Sequence, residues 1–197
     1  RVGYLEQNPE YPQELTVLEA CFHHGNQIVE LIKEYERCIE TDGNPGLAEI
    51  LVRMDHEKAW EYEQKAKQIL SQLKIRDFDQ KIKHLSGGQL KRVALANTLI
   101  TEPDLLILDE PTNHLDLDMT EWLEEYLRRT NLTLLMVTHD RYFLDRVCSE
   151  IMEIDNHQLY QYNGNYSYYL EKRQERMDAT NSEIARANNL YRTELEW

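Results

Sequence analysis

Two adjacent carboxylates, Asp109 and Glu110, follow a short apolar run and carry the clearest chemical signal in this sequence. The run, Leu105-Leu106-Ile107-Leu108, has the length and composition of a buried strand. In open α/β sheets, ligands bind beyond the carboxyl ends of the strands. At such a place Asp109 can hold Mg²⁺, directly or through water, and Glu110 can act as general base toward a water that attacks a phosphate. The plain alternative is a solvated strand end before Pro111.

A glycine-rich segment, Ser86-Gly87-Gly88-Gln89, leads straight into a predicted helix from about Gln89 to Thr101. Glycine lets a ligand approach the backbone closely, and the first turn of a helix offers N–H groups to an anion. Together with the hydroxyl of Ser86, these features favour a phosphate ligand. Taken alone, the same residues more often mark a serine-capped helix, so the phosphate interpretation depends on the carboxylates that follow the strand.

His139 lies in Thr138-His139-Asp140, directly after a predicted strand at Leu132–Val137. A histidine at a strand end can donate a hydrogen bond to a terminal phosphate or orient the attacking water. Taken singly, it is more often a structural histidine. Four other histidines show no metal-ligand spacing and are interpreted as surface or packing residues: His23, His24, His56 and His157.

Helices and short apolar strands alternate after Leu85, which predicts an α/β layer with a buried parallel sheet. The predicted elements are a strand at 2–6, a helix at about 89–101, a strand at 105–108, a helix near 117–129 and a strand at 132–137. Two further short strands, 149–154 and 158–162, are interpreted as a hairpin. Asn165 is then expected to cap a long polar helix that runs to the C-terminus.

A charged helical insertion separates Gln7 from Ser86. It starts at Thr16, a good N-cap residue, and extends to about Lys74. The segment 41–46, which contains Asp, Gly, Asn and Pro, breaks the pattern, so we predict two helical arms. Apolar residues of the second arm recur at three- and four-residue steps from Leu47 to Leu73, and this stripe is expected to face the core.

The composition excludes several classes of protein. The chain has 197 residues, a formal net charge of −14 and a pI near 4.9, so it is a poor sequence-independent nucleic-acid binder and any such contact must be local. The chain has three cysteines, Cys21, Cys38 and Cys148. Because their number is odd and they form no CxxC pair, we predict a reduced, cytoplasmic compartment. No run approaches the ~20 apolar residues that span a bilayer, so no membrane segment is predicted.

In order and spacing, four segments resemble the motifs of an ATP-binding-cassette (ABC) nucleotide-binding domain. Leu85–Gln89 is similar to the signature motif, and Leu105–Pro111 to the Walker B strand with its catalytic glutamate. Thr112–Asp116 is similar to the D-loop, and Val137–Arg141 to the H-switch. Gln7, at a strand end ahead of a helical insertion, resembles the Q-loop glutamine.

The resemblance implies two cofactors, ATP and Mg²⁺, and roles for individual residues. Glu110 and His139 are implied to be catalytic, and Asp109 and Gln7 to bind Mg²⁺. The residues implied to bind ATP are Gln7, Ser86, Gly87, Gly88, Gln89, Asp109 and Asp116.

Within the superfamily, Glu110–Asp116 and Thr138–Arg141 resemble the ABC-F branch, and Gly164–Tyr169 resembles the start of the linker that joins its two cassettes. The insertion is most similar to the first cassette of Uup-type members. The implied fold is α/β: a partial ABC-type nucleotide-binding domain over residues 1–164, with a parallel-sheet core, a helical subdomain and an inserted helical arm at about 16–84. Residues 165–197 are expected to begin the long linker helix.

The sequence departs from the family pattern in one respect, because it contains no Gly-x-x-x-x-Gly-Lys-Ser/Thr segment. We expect the loop that cradles the α- and β-phosphates to lie upstream of Arg1. In this family each ATP lies between the Walker motifs of one cassette and the signature of the other. The resemblance therefore implies that Ser86–Gln89 serve the opposite site, in a second cassette. We expect the parent protein to hydrolyse ATP and the isolated chain to be inactive.

The function implied by the resemblance is an ATPase that closes two cassettes around ATP and acts on the ribosome or its RNA. Branched DNA is an alternative partner for Uup-like members, and an ABC transporter's separate ATPase subunit is another alternative, which the linker-like tail disfavours. A chromosome-maintenance ATPase would need a coiled coil longer than this insertion of roughly seventy residues. A non-catalytic scaffold is disfavoured because Glu110 is in place.

Overall fold

The computed structural model describes residues 1–6, 8–22, 27–41 and 46–195. Its strands are β1 (Val2–Leu5), β2 (Leu105–Asp109), β3 (Thr133–Val137), β4 (Ile151–Asp155) and β5 (Gln158–Tyr162). Its α-helices are α1 (Val17–Cys21), α2 (Gln27–Glu40), α3 (Leu47–His56), α4 (Ala59–Gln72), α5 (Gly87–Ile100), α6 (Leu117–Arg129), α7 (Arg141–Val147) and α8 (Tyr166–Leu195). The chain divides into two compact units, residues 1–139 and 140–197.

The first unit contains a parallel sheet in the order β1-β2-β3. Leu5 pairs with Leu108, and Asp109 pairs with Val137, so the three strands end at the same edge. The central strand buries Leu106 and Leu108. The predicted α/β class with a parallel sheet is therefore confirmed.

Helix α5 lies against β1 and connects the sheet to the helical part of the unit. Its sequence is apolar around most of its circumference, as is typical of a helix that is covered on several sides. It buries Val93–Asn97, Leu99 and Ile100. Helices α1 and α4 pack on α5, so this helix is the centre of the unit's core.

The helical arm differs from the two-helix prediction. Its second part is divided into α3 and α4, because Lys58 adopts a left-handed conformation (φ = 53°) between them. Much of the predicted apolar stripe is buried: Ile50, Met54, Ala59, Ala66, Ile69, Leu70 and Leu73. Leu51 is exposed instead. Of the predicted break at 41–46, residues 42–45 lie outside the described residues.

Backbone hydrogen bonds join the entrance and exit of the arm. The N–H of Val17 donates to the carbonyl of Gln80 at 3.0 Å, and the N–H of Ile82 donates to that of Leu15 at 2.9 Å. Thr16 begins α1 as predicted, in a capping box with Glu19. The whole insertion therefore leaves and rejoins the rest of the first unit at one place.

In the second unit, the antiparallel hairpin β4-β5 holds the base of α8. The mostly buried carboxylate of Glu153 lies 2.8 Å from Arg173 Nε and 2.7 Å from Arg176 Nη2. The Arg176 guanidinium also stacks on Tyr160, 3.6 Å from the ring centroid. Asn165 accepts a hydrogen bond from the N–H of Tyr168 at 3.1 Å, as expected of a helix cap. Among the described helices, none combines the length and apolar composition that a membrane crossing needs.

Candidate active site

The backbone turns sharply at the end of the central strand. Asp109 is the last residue of β2, and Glu110 follows with φ = 49°. This left-handed conformation is uncommon for a residue with a long side chain and is found mostly where the surrounding structure enforces it. Here the Glu110 N–H donates to the carbonyl of Val137 at 2.8 Å, which extends the β2-β3 pairing by one residue. The two carboxylates are thereby placed at the carboxyl edge of the sheet.

The carboxylate of Glu110 contacts the segment that follows β3. One oxygen, Oε1, lies 3.3 Å from His139 Nε2. The other, Oε2, accepts from Thr138 Oγ1 and from the backbone N–H of His139, each at 3.3 Å. The Glu110 side chain is 18% exposed, whereas that of His139 is 97% exposed. A largely buried carboxylate is therefore held next to an imidazole that solvent or a ligand can reach.

A cavity of about 170 Å³ opens beside Asp109 and Glu110. Asp109 and Glu110 line it from the sheet, Lys91 and Arg92 line it from α5, and Asn113 lines it from the turn after Glu110. Glu6 and Asn8 also border the cavity. Gln7, predicted here as a Mg²⁺ and ATP ligand, lies outside the described residues.

The donor set at this cavity fits Mg²⁺ rather than a transition metal. Mg²⁺ prefers oxygen ligands and is usually bound through one or two carboxylates, with water and substrate phosphates supplying the rest. Asp109 offers such a carboxylate at the cavity wall. No cluster of three or more His, Cys, Asp or Glu side chains suited to a metal occurs in the part of the chain that the structure describes.

Ser86 caps helix α5, which begins at Gly87, two residues before the predicted start. Ser86 Oγ accepts from the N–H of Gln89 at 3.2 Å, and Gln89 Oε1 accepts from the N–H of Ser86 at 2.8 Å. A Cβ added at Gly87 would meet nothing within 4 Å, and one at Gly88 would lie 3.5 Å from His114 Cβ. The serine-capped helix therefore coexists with an open Cβ side at Gly87, whereas Gly88 lies against His114.

The structure does not bring the glycine-rich segment to the cavity of Asp109 and Glu110. None of the described residues that line that cavity belongs to 86–89. Among the described residues, the two predicted phosphate-binding features of this chain therefore do not line one common cavity.

The turn between Glu110 and α6 is held at both ends. The N–H of Asn113 donates to the carbonyl of Glu110 at 3.2 Å. At the other end, Asp116 caps α6 by accepting from the N–H of Met119 at 3.1 Å. Lys74 Nζ lies 2.6 Å from the second carboxylate oxygen of Asp116, and this hydrogen bond lowers the pKa of Asp116.

Sequence reasoning missed two residues of this region. Thr138 precedes His139 directly, and its position beside a candidate histidine is a signal that could have identified it. Lys74 is 42 residues from Asp116 in sequence. No spacing pattern connects such a pair, because only tertiary packing brings the end of α4 to Asp116.

Comparison with known proteins agrees with the motifs. Two family models, both described as ABC transporter, match residues 1–113 and 152–197. Across its whole length the chain is 42% identical to an uncharacterized ABC transporter ATP-binding protein, YfmR, of Bacillus subtilis. It is 38% identical to the energy-dependent translational throttle protein EttA of Mycobacterium tuberculosis and 36% identical to EttA of Escherichia coli. The chain spans 33%, 36% and 37% of these relatives, about a third of their length.

Solved structures show the same fold. An ATP-binding subunit of an ABC transporter superposes with a TM-score of 0.59 at 21% identity, over 82% of this chain and 58% of that one. A dimeric ATP-binding cassette in a post-hydrolysis state with ADP and Pi superposes with a TM-score of 0.56 at 24% identity, over 83% and 62%.

Proposed function

Because the chain belongs to the ABC transporter family of ATP-binding domains, we propose that it is part of an ABC-F ATPase that works on the ribosome. In this proposal, ATP binding closes two cassettes and hydrolysis releases them. The observation that carries it is the contact of Glu110 with His139 at the carboxyl edge of the sheet, 3.3 Å from Oε1 to Nε2. A cytoplasmic location and the first-cassette, Uup-like assignment form part of the same proposal.

Glu110 is the proposed general base. Its carboxylate takes a proton from a water whose oxygen forms a bond to the γ-phosphorus, while the bond from that phosphorus to the β–γ bridging oxygen breaks and leaves ADP and phosphate. The contacts from Thr138 and His139 keep the carboxylate at the cavity. The exposed imidazole of His139 can donate a hydrogen bond to the γ-phosphate, where negative charge must be stabilised.

Asp109 and Gln7 are the proposed Mg²⁺ ligands of this site. When bound, Mg²⁺ neutralises charge on the β- and γ-phosphates. Asp109 supports this role because it ends the central strand and lines the same cavity as Glu110. Lys91 and Arg92 border that cavity as well and add positive charge on the side of α5.

Two cassettes are proposed because the glycine-rich segment is not among the described residues that line the acidic cavity of this chain. The N-terminal turn of α5, with Gly87 open on its Cβ side, is available to a nucleotide held by another cassette. Ser86, Gly87, Gly88 and Gln89 would bind the phosphates there, and Asp116 would take part from its turn. This arrangement supports a composite site that forms only on closure.

The ribosome is the proposed target because the matched relatives include proteins named as energy-dependent translational throttles. The net charge of −14 restricts contact with RNA to local features, since phosphate neutralisation needs clustered basic residues. The helical arm and helix α8 are two elements that could carry such contacts in the intact protein.

ATP hydrolysis by the intact parent protein tests the catalytic part of the proposal. Glu110→Gln is expected to lower turnover of the site it serves by roughly 100-fold or more, the usual contribution of a general base. Glu125→Gln is a matched control, because Glu125 is exposed on α6 and pairs with Arg129 on the same helix. Equal activities of wild type and Glu110→Gln would refute the catalytic assignment.

Co-sedimentation tests the target. The parent protein carrying Glu110→Gln is mixed with ribosomes and Mg-ATP at physiological salt, and is expected to pellet with them only when ATP is present. If it stays in the supernatant, also with the second cassette's glutamate replaced, the ribosome is the wrong target. Binding to branched DNA under the same conditions would then support the alternative partner.

A further inference from the structure

Helix α4 ends in a hydrogen-bonded motif whose key position normally favours glycine. The N–H of Ile75 donates to the carbonyl of Leu70 at 2.9 Å, and the N–H of Lys74 donates to that of Ser71 at 3.0 Å. This pair of bonds defines a Schellman motif, in which the residue after the C-cap is left-handed and is usually glycine. Here that residue is Lys74, with φ = 56°. A side chain with a Cβ is thus present where backbone energetics disfavours one.

The Lys74 ammonium extends to the turn 111–116, which follows β2 and Glu110. Nζ lies 2.6 Å from Asp116 Oδ2 and 3.0 Å from Asp118 Oδ2. The other oxygen of Asp116, Oδ1, accepts from the N–H of Met119 at 3.1 Å. The Asp116 carboxylate is therefore held from two sides, by its own helix and by the end of α4.

A second contact joins the same three helices. Arg92 Nη1, from α5, donates to the carbonyl of Leu73 at 2.9 Å and lies 3.7 Å from the sulfur of Met119. The last residue before Lys74 and the first turn of α6 therefore share one guanidinium. A displacement of the end of α4 would therefore change its contacts with both α5 and the turn before α6.

We infer that Lys74 is a positioning residue, which fixes the turn 111–116 through Asp116 and couples α3 and α4, the second part of the helical arm, to the nucleotide site. The turn starts at Glu110, whose carbonyl accepts from the N–H of Asn113, and ends at Asp116. Its downstream end is anchored by Lys74, and its upstream end carries the general base. The catalytic consequence of this inference rests on the proposed function, whereas the anchoring of the turn does not.

Lys74→Gly tests the contribution of the ammonium separately from that of the left-handed backbone. Glycine is favoured at this left-handed position, so the helix end is retained while the ammonium is removed. Lys58→Gly is a matched control, because Lys58 is also left-handed (φ = 53°), lies at the other end of the same helix and pairs only weakly with Glu61, at 3.9 Å. Lys74→Arg keeps a cation at the position and is expected to restore most of the wild-type behaviour.

Two measurements on the intact parent protein test the inference. Hydrogen exchange of the peptide covering 111–119, without nucleotide, is expected to be roughly three- to tenfold faster in Lys74→Gly and unchanged in Lys58→Gly. The kcat for ATP is expected to fall roughly fivefold in Lys74→Gly, with the KM changed less than about twofold. Thermal unfolding is expected to stay within about 2 °C of wild type for both variants.

The outcomes distinguish the inference from the function it builds on. Unchanged exchange at 111–119 in Lys74→Gly, or equal effects of the two glycine variants, would overturn the anchoring role. Faster exchange with an unchanged kcat would overturn the coupling. If exchange responds as expected while wild-type hydrolysis equals that of Glu110→Gln, the anchoring is supported and the proposed ATPase function fails instead.

Discussion

Substitution of Ser86 can separate the two uses of one side chain, as a helix cap and as a ligand for phosphate. Ser86 Oγ accepts from the N–H of Gln89 at 3.2 Å, and the side chain is exposed at the start of α5. Ser86→Ala removes both the cap and the hydroxyl. Ser86→Asp keeps an N-cap acceptor of equal quality but adds a negative charge where an anion is expected to bind.

The two variants are expected to rank in opposite orders for stability and for activity. Loss of an N-cap costs about 1 kcal/mol, which lowers the Tm of a domain of this size by roughly 2–4 °C, so alanine destabilises and aspartate does not. Two like charges about 4 Å apart repel by about 4 kcal/mol at an effective dielectric constant of about 20. Aspartate is therefore expected to weaken nucleotide closure by roughly a thousandfold, and alanine by roughly ten- to a hundredfold for one lost charge-assisted hydrogen bond.

Thermal unfolding of the 197-residue chain, followed by far-ultraviolet circular dichroism, gives the first ranking, and steady-state ATP hydrolysis by the intact parent gives the second. We expect wild type and Ser86→Asp to unfold at similar temperatures, with Ser86→Ala below them. We expect activity to fall from wild type to alanine to aspartate. If Ser86→Asp hydrolyses ATP as fast as Ser86→Ala or faster, Ser86 serves only as a helix cap.

Three further predictions concern the isolated chain. Its ATP hydrolysis is expected to be no faster than that of the same chain carrying Glu110→Gln, measured as phosphate release, and sustained activity above that level would contradict the composite site. Strands β1 and β3 lie at the two edges of the described sheet, so sedimentation velocity is expected to show concentration-dependent self-association, and a clean monomer would contradict this. Hydrogen bonds from Lys81 and Lys83 lower the pKa of Glu14 from 4.5 to about 2, so this contact stabilises the fold above pH 4.5 and the stabilisation is lost as the pH falls toward 2. Glu14→Gln is therefore expected to flatten acid unfolding in this window at low salt, and an equal difference at about 1 M salt would argue against an electrostatic cause.

The parts of the fold that carry motifs were predictable because local sequence determines them. The apolar run before Asp109 defined β2, and the helix predicted near 117–129 is observed as α6. The cap at Ser86 was recognised, although the helix begins two residues earlier than predicted. The hairpin β4-β5 was predicted from the Asp155-Asn156-His157 turn between two short strands.

Features that depend on left-handed lysines and on tertiary contacts were not predictable. Lys58 divides the second arm into two helices, yet lysine carries no turn signal of the kind that glycine, asparagine or proline gives. The anchoring of Asp116 by Lys74 joins residues 42 apart in sequence, so it depends on tertiary packing. The sequence placed Glu110 and His139 after neighbouring strands, but their contact depends on the register of β2 against β3.

The attachment of α8 to its hairpin allows a small change at one end of this helix to produce a larger movement at the other. Glu153 pairs with Arg173 and Arg176, so the first three turns of α8 are fixed to the hairpin β4-β5. From Arg176 to Leu195 the helix extends about 28 Å, at 1.5 Å per residue. A tilt of α8 by about ten degrees at the hairpin would move its far end by about 5 Å, roughly one helical turn. A small rotation of the hairpin together with the base of α8 would therefore displace the far end of the helix by several ångströms.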